Sequence, residues 1–151
     1  MRIVLQVVRK ASVAINGEEI SSIGKGFLLL VGFTQGDNFS IVQKMVDKVM
    51  KLRIFPDGNG KTNLSLSDVG GEILSVSQFT LYANVVHGNR PSFTEALPQE
   101  EARVLYEQFF ASLKERLPGL KGGVFHADML VKLENDGPFT LILDSKEIVK
   151  Q

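Results

Sequence analysis

At 151 residues, with 44% apolar and 23% charged residues, the chain has the size and composition of one compact globular domain rather than a disordered segment. Seventeen Lys and Arg balance seventeen Asp and Glu, which argues against a protein that coats nucleic acid nonspecifically but leaves room for a local patch that grips one end. The absence of cysteine removes disulfide scaffolds, thiolate zinc sites, iron–sulfur clusters and thiol nucleophiles together.

The N-terminal Met1-Arg2-Ile3-Val4-Leu5-Gln6 runs straight into strand-like sequence without a signal-peptide layout. A first strand is expected over Ile3–Val8 and a second over Ser12–Ile15, followed by Asn16-Gly17. Asn-Gly between extended runs is a hairpin signal, because both central positions of a type I′ turn need positive φ. Glu18–Ile23 is the return strand. Phe27 to Val31 shows no alternation, the pattern of a strand buried on both faces. The longest apolar run, Phe27 to Phe33, is seven residues and contains Gly32, far too short for a membrane span. The expectation is a soluble, cytoplasmic protein with no membrane contact.

Ser40 is placed to cap a helix whose apolar face is Ile41, Val42, Met45, Val46, Val49, Met50 and Leu52. Arg53-Ile54-Phe55 reads as a short strand leading into the turn cluster Pro56-Asp57-Gly58-Asn59-Gly60. A further strand is expected over Glu72–Phe79. A second helix fits Gln99–Leu117, with Ala102, Leu105, Phe109 and Leu113 on one face and Pro118-Gly119 as its stop. Period-two alternation from Val124 to Leu133 predicts another strand, and Asp136-Gly137-Pro138 breaks the chain before Thr140–Leu143. Strands separated by helices argue for a mixed α/β fold with two main helices, one domain over residues 1–151.

Most familiar catalytic arrangements are missing. Only His87 and His126 are present, so a two-histidine metal site would need them to meet in space with no helical spacing to help, and both read better as solvated or hydrogen-bonded side chains. Ser77, His126 and Asp128 contain the residue types of a triad, but no G-x-S-x-G elbow frames a serine. The Asp57–Lys61 stretch starts like a calcium loop, yet has Thr62 where the sharp turn needs Gly and Asp68 where a bidentate Glu must close it. A hairpin turn is the expected role.

Two segments remain. Ser77-Gln78-Phe79-Thr80-Leu81 ends an apolar strand in hydroxyl and amide groups, where free backbone N–H groups can meet a reacting carbonyl. Asn135-Asp136-Gly137-Pro138-Phe139-Thr140 sets a proline that cannot donate to a ladder beside a glycine that lets another molecule approach its backbone. From composition alone each is also an ordinary strand end or turn.

Together these two segments resemble the signature pair of the D-aminoacyl-tRNA deacylase family. The likeness runs along nearly the whole chain, through Leu5-Gln6, Ala11-Ser12-Val13, Leu52-Arg53-Ile54-Phe55, Gly71-Glu72-Ile73-Leu74, Asn89-Arg90-Pro91-Ser92-Phe93 and Ile142-Leu143-Asp144. The resemblance implies a barrel-like mixed β-sheet in β/β/α layers, assembled as a homodimer. It further implies a cofactor-free and metal-free hydrolase that removes D-amino acids, and glycine mischarged on tRNA(Ala), from tRNA 3′ ends, with no DNA partner expected.

By the same resemblance, Ser77, Gln78, Phe79 and Thr80 are the catalytic segment, the N–H groups of Phe79 and Thr80 forming an oxyanion hole. Gly137 and Pro138, joined by a cis bond, reach into the other subunit's pocket as a clamp that leaves no room for an L side chain; Asn135, Thr140, Phe125 and Met129 complete the substrate-binding set. Lys10, Lys61, Arg90 and Lys132 are candidate contacts to RNA. The chain departs from the family at two places: Val7 stands where Arg usually follows the N-terminal Gln, leaving Arg9 as the neighbouring cation, and His126 stands where Gly is common. The alternatives are a dimeric module that binds nucleic-acid ends without cleaving them and a hydrolase of small esters.

Overall fold

The computed structural model describes residues 1–149. Its elements in chain order are β1 (Arg2–Ile15), β2 (Glu18–Ile23), β3 (Gly26–Gly32), α1 (Phe39–Lys51), β4 (Arg53–Pro56), β5 (Thr62–Ser65), β6 (Glu72–Ser77), a 3₁₀ turn (Phe79–Tyr82), α2 (Gln99–Arg116), β7 (Lys121–Gly122), β8 (Leu130–Asp144) and α3 (Ser145–Ile148). No helix among the described residues is long and apolar enough to cross a membrane.

The main sheet runs β2-β1-β3-β6-β7, with β8 also on β1. The two expected N-terminal strands are one long β1, which serves several neighbours. Residues 2–8 pair antiparallel with β3 and residues 11–15 with β2, while β8 follows β1 from Arg2 to Ala14. A register shift at Val13/Ala14 falls within the stretch paired with β2. Because β3–β6 and β6–β7 are parallel and the rest antiparallel, the sheet is mixed and nearly closed, barrel-like. The β1–β2 hairpin turns at Asn16 (φ 51) and Gly17 (φ 80), the positive angles that an Asn-Gly I′ turn requires.

Why β3 lacks alternation is now plain. Phe27, Leu29 and Val31 enter the large core that α1 and α2 cover, while Leu28 enters a smaller core with Val8, Val13, Leu74 and Val76. Phe27 is fully buried and stacks on Phe55 of β4 at 5.4 Å between ring centroids. The Asp57 turn joins β4 to β5: its carboxylate accepts from the Asn59 and Lys61 N–H groups at 2.8 and 3.0 Å. Those backbone bonds hold its pKa below the usual carboxylate range.

Helix α1 buries Val42, Met45, Val46, Val49 and Met50 as its spacing predicts, but starts earlier than Ser40 suggests. Asn38 is the cap; its side chain accepts from the Ile41 N–H at 3.0 Å. Ser40 lies inside the first turn, where its backbone is already helical. An Asn38→Ala variant is expected to lose about 1 kcal/mol in urea unfolding, whereas Ser40→Ala should change little.

Helix α2 buries Ala102, Tyr106, Phe109 and Leu113. Tyr106 takes the place expected of Leu105, which is only partly buried. Two strand expectations need correction. Val124–Met129 is not strand, since β8 begins at Leu130; and the chain does not break at Asp136–Pro138, because β8 runs on to Asp144 with a bulge there. The short α3 is an element the apolar pattern did not reveal; Asp144 caps it by accepting from the Lys146 N–H at 3.0 Å.

Candidate active site

The site begins where the parallel pair β3 and β6 ends together, with Val31 opposite Ser77. Strand β6 stops at Ser77, two residues short of the expected end, and Gln78 donates its N–H to the Val31 carbonyl at 2.7 Å. The chain then tightens into the 3₁₀ turn from Phe79. The first N–H groups of a helical turn have no intrahelical acceptor, and those of Phe79 and Thr80 find none elsewhere among the described residues. Gln78 Nε2 donates to Thr80 Oγ1 at 2.5 Å, which fixes both side chains. Phe79 is half exposed and meets the edge of Phe93 at 5.3 Å.

This turn forms one wall of a cleft of about 580 Å³. Ser77, Gln78, Phe79 and Phe93 lie on it; the start of α2, through Pro98, Gln99 and Ala102, adds a second side. Phe125, His126, Asp128 and Met129 line the cleft from the segment before β8. Phe125 is braced from behind: Tyr106 lies 5.8 Å from its ring and the Arg103 guanidinium 4.9 Å from it. Tyr106 also ties this wall to β6, sharing a hydrogen bond with Ser75 Oγ and donating to the Ser75 carbonyl, both at 3.1 Å. Burial pushes the Tyr106 phenol up to about 12 despite the Ser75 bond, so it stays protonated and structural.

Ser77, His126 and Asp128 all line the cleft, yet no hydrogen bond joins any two of them among the described residues. They are neighbours without the contacts of a triad. No group of three or more His, Asp or Glu side chains converges to hold a metal among the described residues. Phe93, Pro98, Gln99 and Gly32 escaped the sequence reading. Gly32 carried a readable signal, a glycine closing an apolar strand: a Cβ there would stand 2.8 Å from the Gln78 carbonyl oxygen.

The second predicted set lies elsewhere on the chain. On β1–β8, Gln6 opposes Thr140 and Val8 opposes Asn135, so Asp136–Phe139 bulge outward. Gln6 Nε2 donates to Thr140 Oγ1 at 3.2 Å, and Asn135 Nδ2 donates to the Val7 carbonyl at 3.0 Å and the Phe139 carbonyl at 3.4 Å. The Gly137–Pro138 peptide bond is cis, and both residues are exposed. Val7 buries its side chain in the large core, and the neighbouring cation Arg9 reaches Asp136 at 3.7 Å, on the surface. Lys10 is paired with Glu134 at 3.3 Å, while Lys61, Arg90 and Lys132 are exposed. Neither Asn135, Gly137, Pro138 nor Thr140 lines the cleft of its own chain. Exposed Leu130, Leu133 and Ile142 flank the bulge along β8.

Residues 4–144 match the family model described as D-Tyr-tRNA(Tyr) deacylase. A D-aminoacyl-tRNA deacylase of Lactobacillus acidophilus is 56% identical over 144 residues, covering 95% of this chain and 99% of its own. One of Clostridium tetani is 50% identical over 148 residues, with 98% and 99% covered. Among solved structures, a protein named c-Myc DNA unwinding element binding protein superposes with a TM-score of 0.90 at 42% identity, covering 95% of this chain and 98% of that one. A probable eukaryotic D-amino acid tRNA deacylase shares the fold at a TM-score of 0.80 and 18% identity, covering 94% and 97%. The strand end at Ser77–Thr80, the cleft it borders and these likenesses along the full chain agree: the chain belongs to the D-Tyr-tRNA(Tyr) deacylase family.

Proposed function

We propose that this protein hydrolyses the ester between a D-amino acid and the 3′ end of tRNA, and likewise removes glycine mischarged on tRNA(Ala). The observation that carries the reading is the unpaired N–H groups of Phe79, which lines the cleft, and of Thr80, which follows it in the same turn without itself lining the cleft. An aminoacyl ester is already activated, so the main demand is to stabilise the oxyanion formed when water attacks its carbonyl. Two preset backbone donors meet that demand. The tetrahedral intermediate collapses with loss of the terminal ribose oxygen, which takes a proton, and free amino acid and tRNA leave.

Thr80 is not the nucleophile in this scheme. Its hydroxyl accepts from the Gln78 amide, which offers no base to remove its proton. Water attacks, assisted by the RNA's own 2′-OH. A Thr80→Ala variant keeps the backbone N–H and is expected to retain hydrolysis within about threefold, an interaction worth well under 1 kcal/mol. Complete inactivity of a folded variant in single-turnover assays would make the hydroxyl the attacking group.

Chirality is read by a second copy of the chain. In the homodimer, Gly137 and Pro138 of the partner subunit enter the cleft and hold the substrate's α-amino group with their carbonyls, leaving no space for an L side chain. Asn135 and Thr140 support that bulge through Val7, Phe139 and Gln6, and Phe125 and Met129 shape the pocket for the terminal adenosine with Ser77 and Gln78. The exposed apolar residues of β8 beside the bulge suit burial against another copy. Selection by clash accepts many D side chains, and glycine, which has nothing to clash.

Matched D-tyrosyl- and L-tyrosyl-tRNA, incubated with the purified protein and a chelator, test the reading. The expected result is rapid loss of the D-ester with the L-ester spared. Survival of both overturns it in favour of a dimeric module that binds nucleic-acid ends; the 42% identical structure is named for binding a DNA unwinding element.

A further inference from the structure

Among the described residues lining the cleft, only His126 and Asp128 carry ionisable side chains, and none is Lys or Arg. An RNA 3′ end nevertheless brings one negative charge per phosphodiester to whatever holds it. Asp128 repels that charge; of the lining side chains that can donate a hydrogen bond to it, Ser77, Gln78, Gln99 and His126, the imidazole is the one basic group.

The backbone singles out the same residue. His126 sits at φ 66, one of two non-glycine residues at positive φ among the described residues, the other being Asn16 in its hairpin turn. That region favours glycine, and side chains kept there against preference gather where ligands are contacted. Packing does not account for the imidazole. It is exposed and makes no hydrogen bond or ion pair among the described residues. What it does have is a braced base: its ring lies 6.4 Å from Phe125, itself held between Tyr106 and the Arg103 guanidinium. The ring nitrogens are thus unspent and presented at the cleft from a fixed wall.

We propose that His126 binds a phosphodiester of the RNA 3′ end, donating a ring N–H to a phosphate oxygen, and so sets affinity for the nucleic-acid part of the substrate. This rests on reading the cleft as the site for the RNA end. It assigns His126 to binding, with the chemical step left to the Phe79 and Thr80 N–H groups.

The test compares wild type, His126→Gly and His126→Asn. An RNA hairpin ending in CCA and carrying no amino acid gives Kd, D-tyrosyl-tRNA gives KM and kcat, and thermal unfolding gives stability. Loss of a charge-assisted bond is worth about tenfold. His126→Gly is therefore expected to raise Kd and KM together by about that factor at unchanged kcat. Its melting temperature should hold or rise, since glycine suits the backbone. Asn, which tolerates positive φ and keeps a donor, should recover part of the loss. Unchanged Kd in His126→Gly overturns the proposal, as does a loss that tracks a fall in melting temperature. If wild type leaves D-tyrosyl-tRNA intact, the deacylase reading fails, while the Kd comparison still decides the role of His126.

Discussion

A Gly137→Ala variant should fold as stably as the parent and lose hydrolysis of D-aminoacyl-tRNA by on the order of a hundredfold. The two halves of this expectation have separate grounds. Gly137 is exposed, and a Cβ built on it meets nothing within 4 Å in its own chain. Its φ also lies outside the left-handed region reserved for glycine. A surface change of this kind shifts stability by no more than about 0.5 kcal/mol. The activity loss comes only from the other molecule. If the Gly137 carbonyl of the partner subunit holds the substrate's α-amino group, an added methyl stands where the amino acid must approach. Melting temperature, sedimentation and single-turnover hydrolysis separate the cases. A dimer of normal stability with normal activity would remove Gly137 from the substrate clamp. A stable monomer would show instead that the bulge serves assembly.

Much of the fold could be read locally, and the failures share a cause. The Asn16-Gly17 hairpin, the doubly buried β3 and the apolar face of α1 each follow from spacing within a single turn, strand or helix of contiguous residues. Asn38 was missed as the cap because Phe39 and Ser40 already have helical backbone, a fact invisible in the pattern of Ile41 and Val42. The false strand over Val124–Met129 shows that alternation alone does not make a strand. His126 at positive φ turns the chain, and the backbone of Gly123 packs so close to the Met129 sulfur that a Cβ would collide with it. Conversely, Pro138 reads as a break, but β1 is a partner on both sides of it and carries β8 across the bulge. No window around Pro138 contains that information, because Gln6 and Thr140 lie at opposite ends of the chain.

The site divides in the same way. The Ser77–Thr80 segment is legible because the strand end, its hydroxyls and its free N–H groups are contiguous. The rest of the cleft is not legible locally, since Phe93, Pro98 and Phe125, the last implied only by resemblance, come together only after α2 packs on the sheet. The exposed bulge was noticeable from Gly137-Pro138 itself, although a single chain keeps it away from its own cleft. Tyr106 is the clearest case of a supporting residue hidden from sequence. As one aromatic in a helix face it looks like core, and only the fold reveals that its hydroxyl ties Ser75 to the Phe125 wall.

Gly32 joins fold to chemistry most directly, and Gly32→Ala should damage both. The new Cβ would stand 2.8 Å from the Gln78 carbonyl oxygen and 3.2 Å from Leu81 Cβ. Neither is the loose end of a side chain. The Gln78 backbone is tied to Val31 by its N–H at 2.7 Å, and its carbonyl accepts from Leu81 at 3.3 Å, so the strain goes into the 3₁₀ turn. Overpacking of this order costs about 1–3 kcal/mol of stability. The turn also presents the N–H groups of Phe79 and Thr80, and if these form the proposed oxyanion hole, shifting them by a fraction of an ångström weakens it. The expected result is kcat lower by about ten- to a hundredfold with a smaller change in KM for D-tyrosyl-tRNA, because Phe125, His126 and Met129 across the cleft are untouched. Denaturant unfolding and single-turnover kinetics on the same preparation check both effects. A variant that loses stability at full kcat would mean that the turn relaxes without moving its donors, and would separate the packing of Gly32 from the chemistry of the strand end.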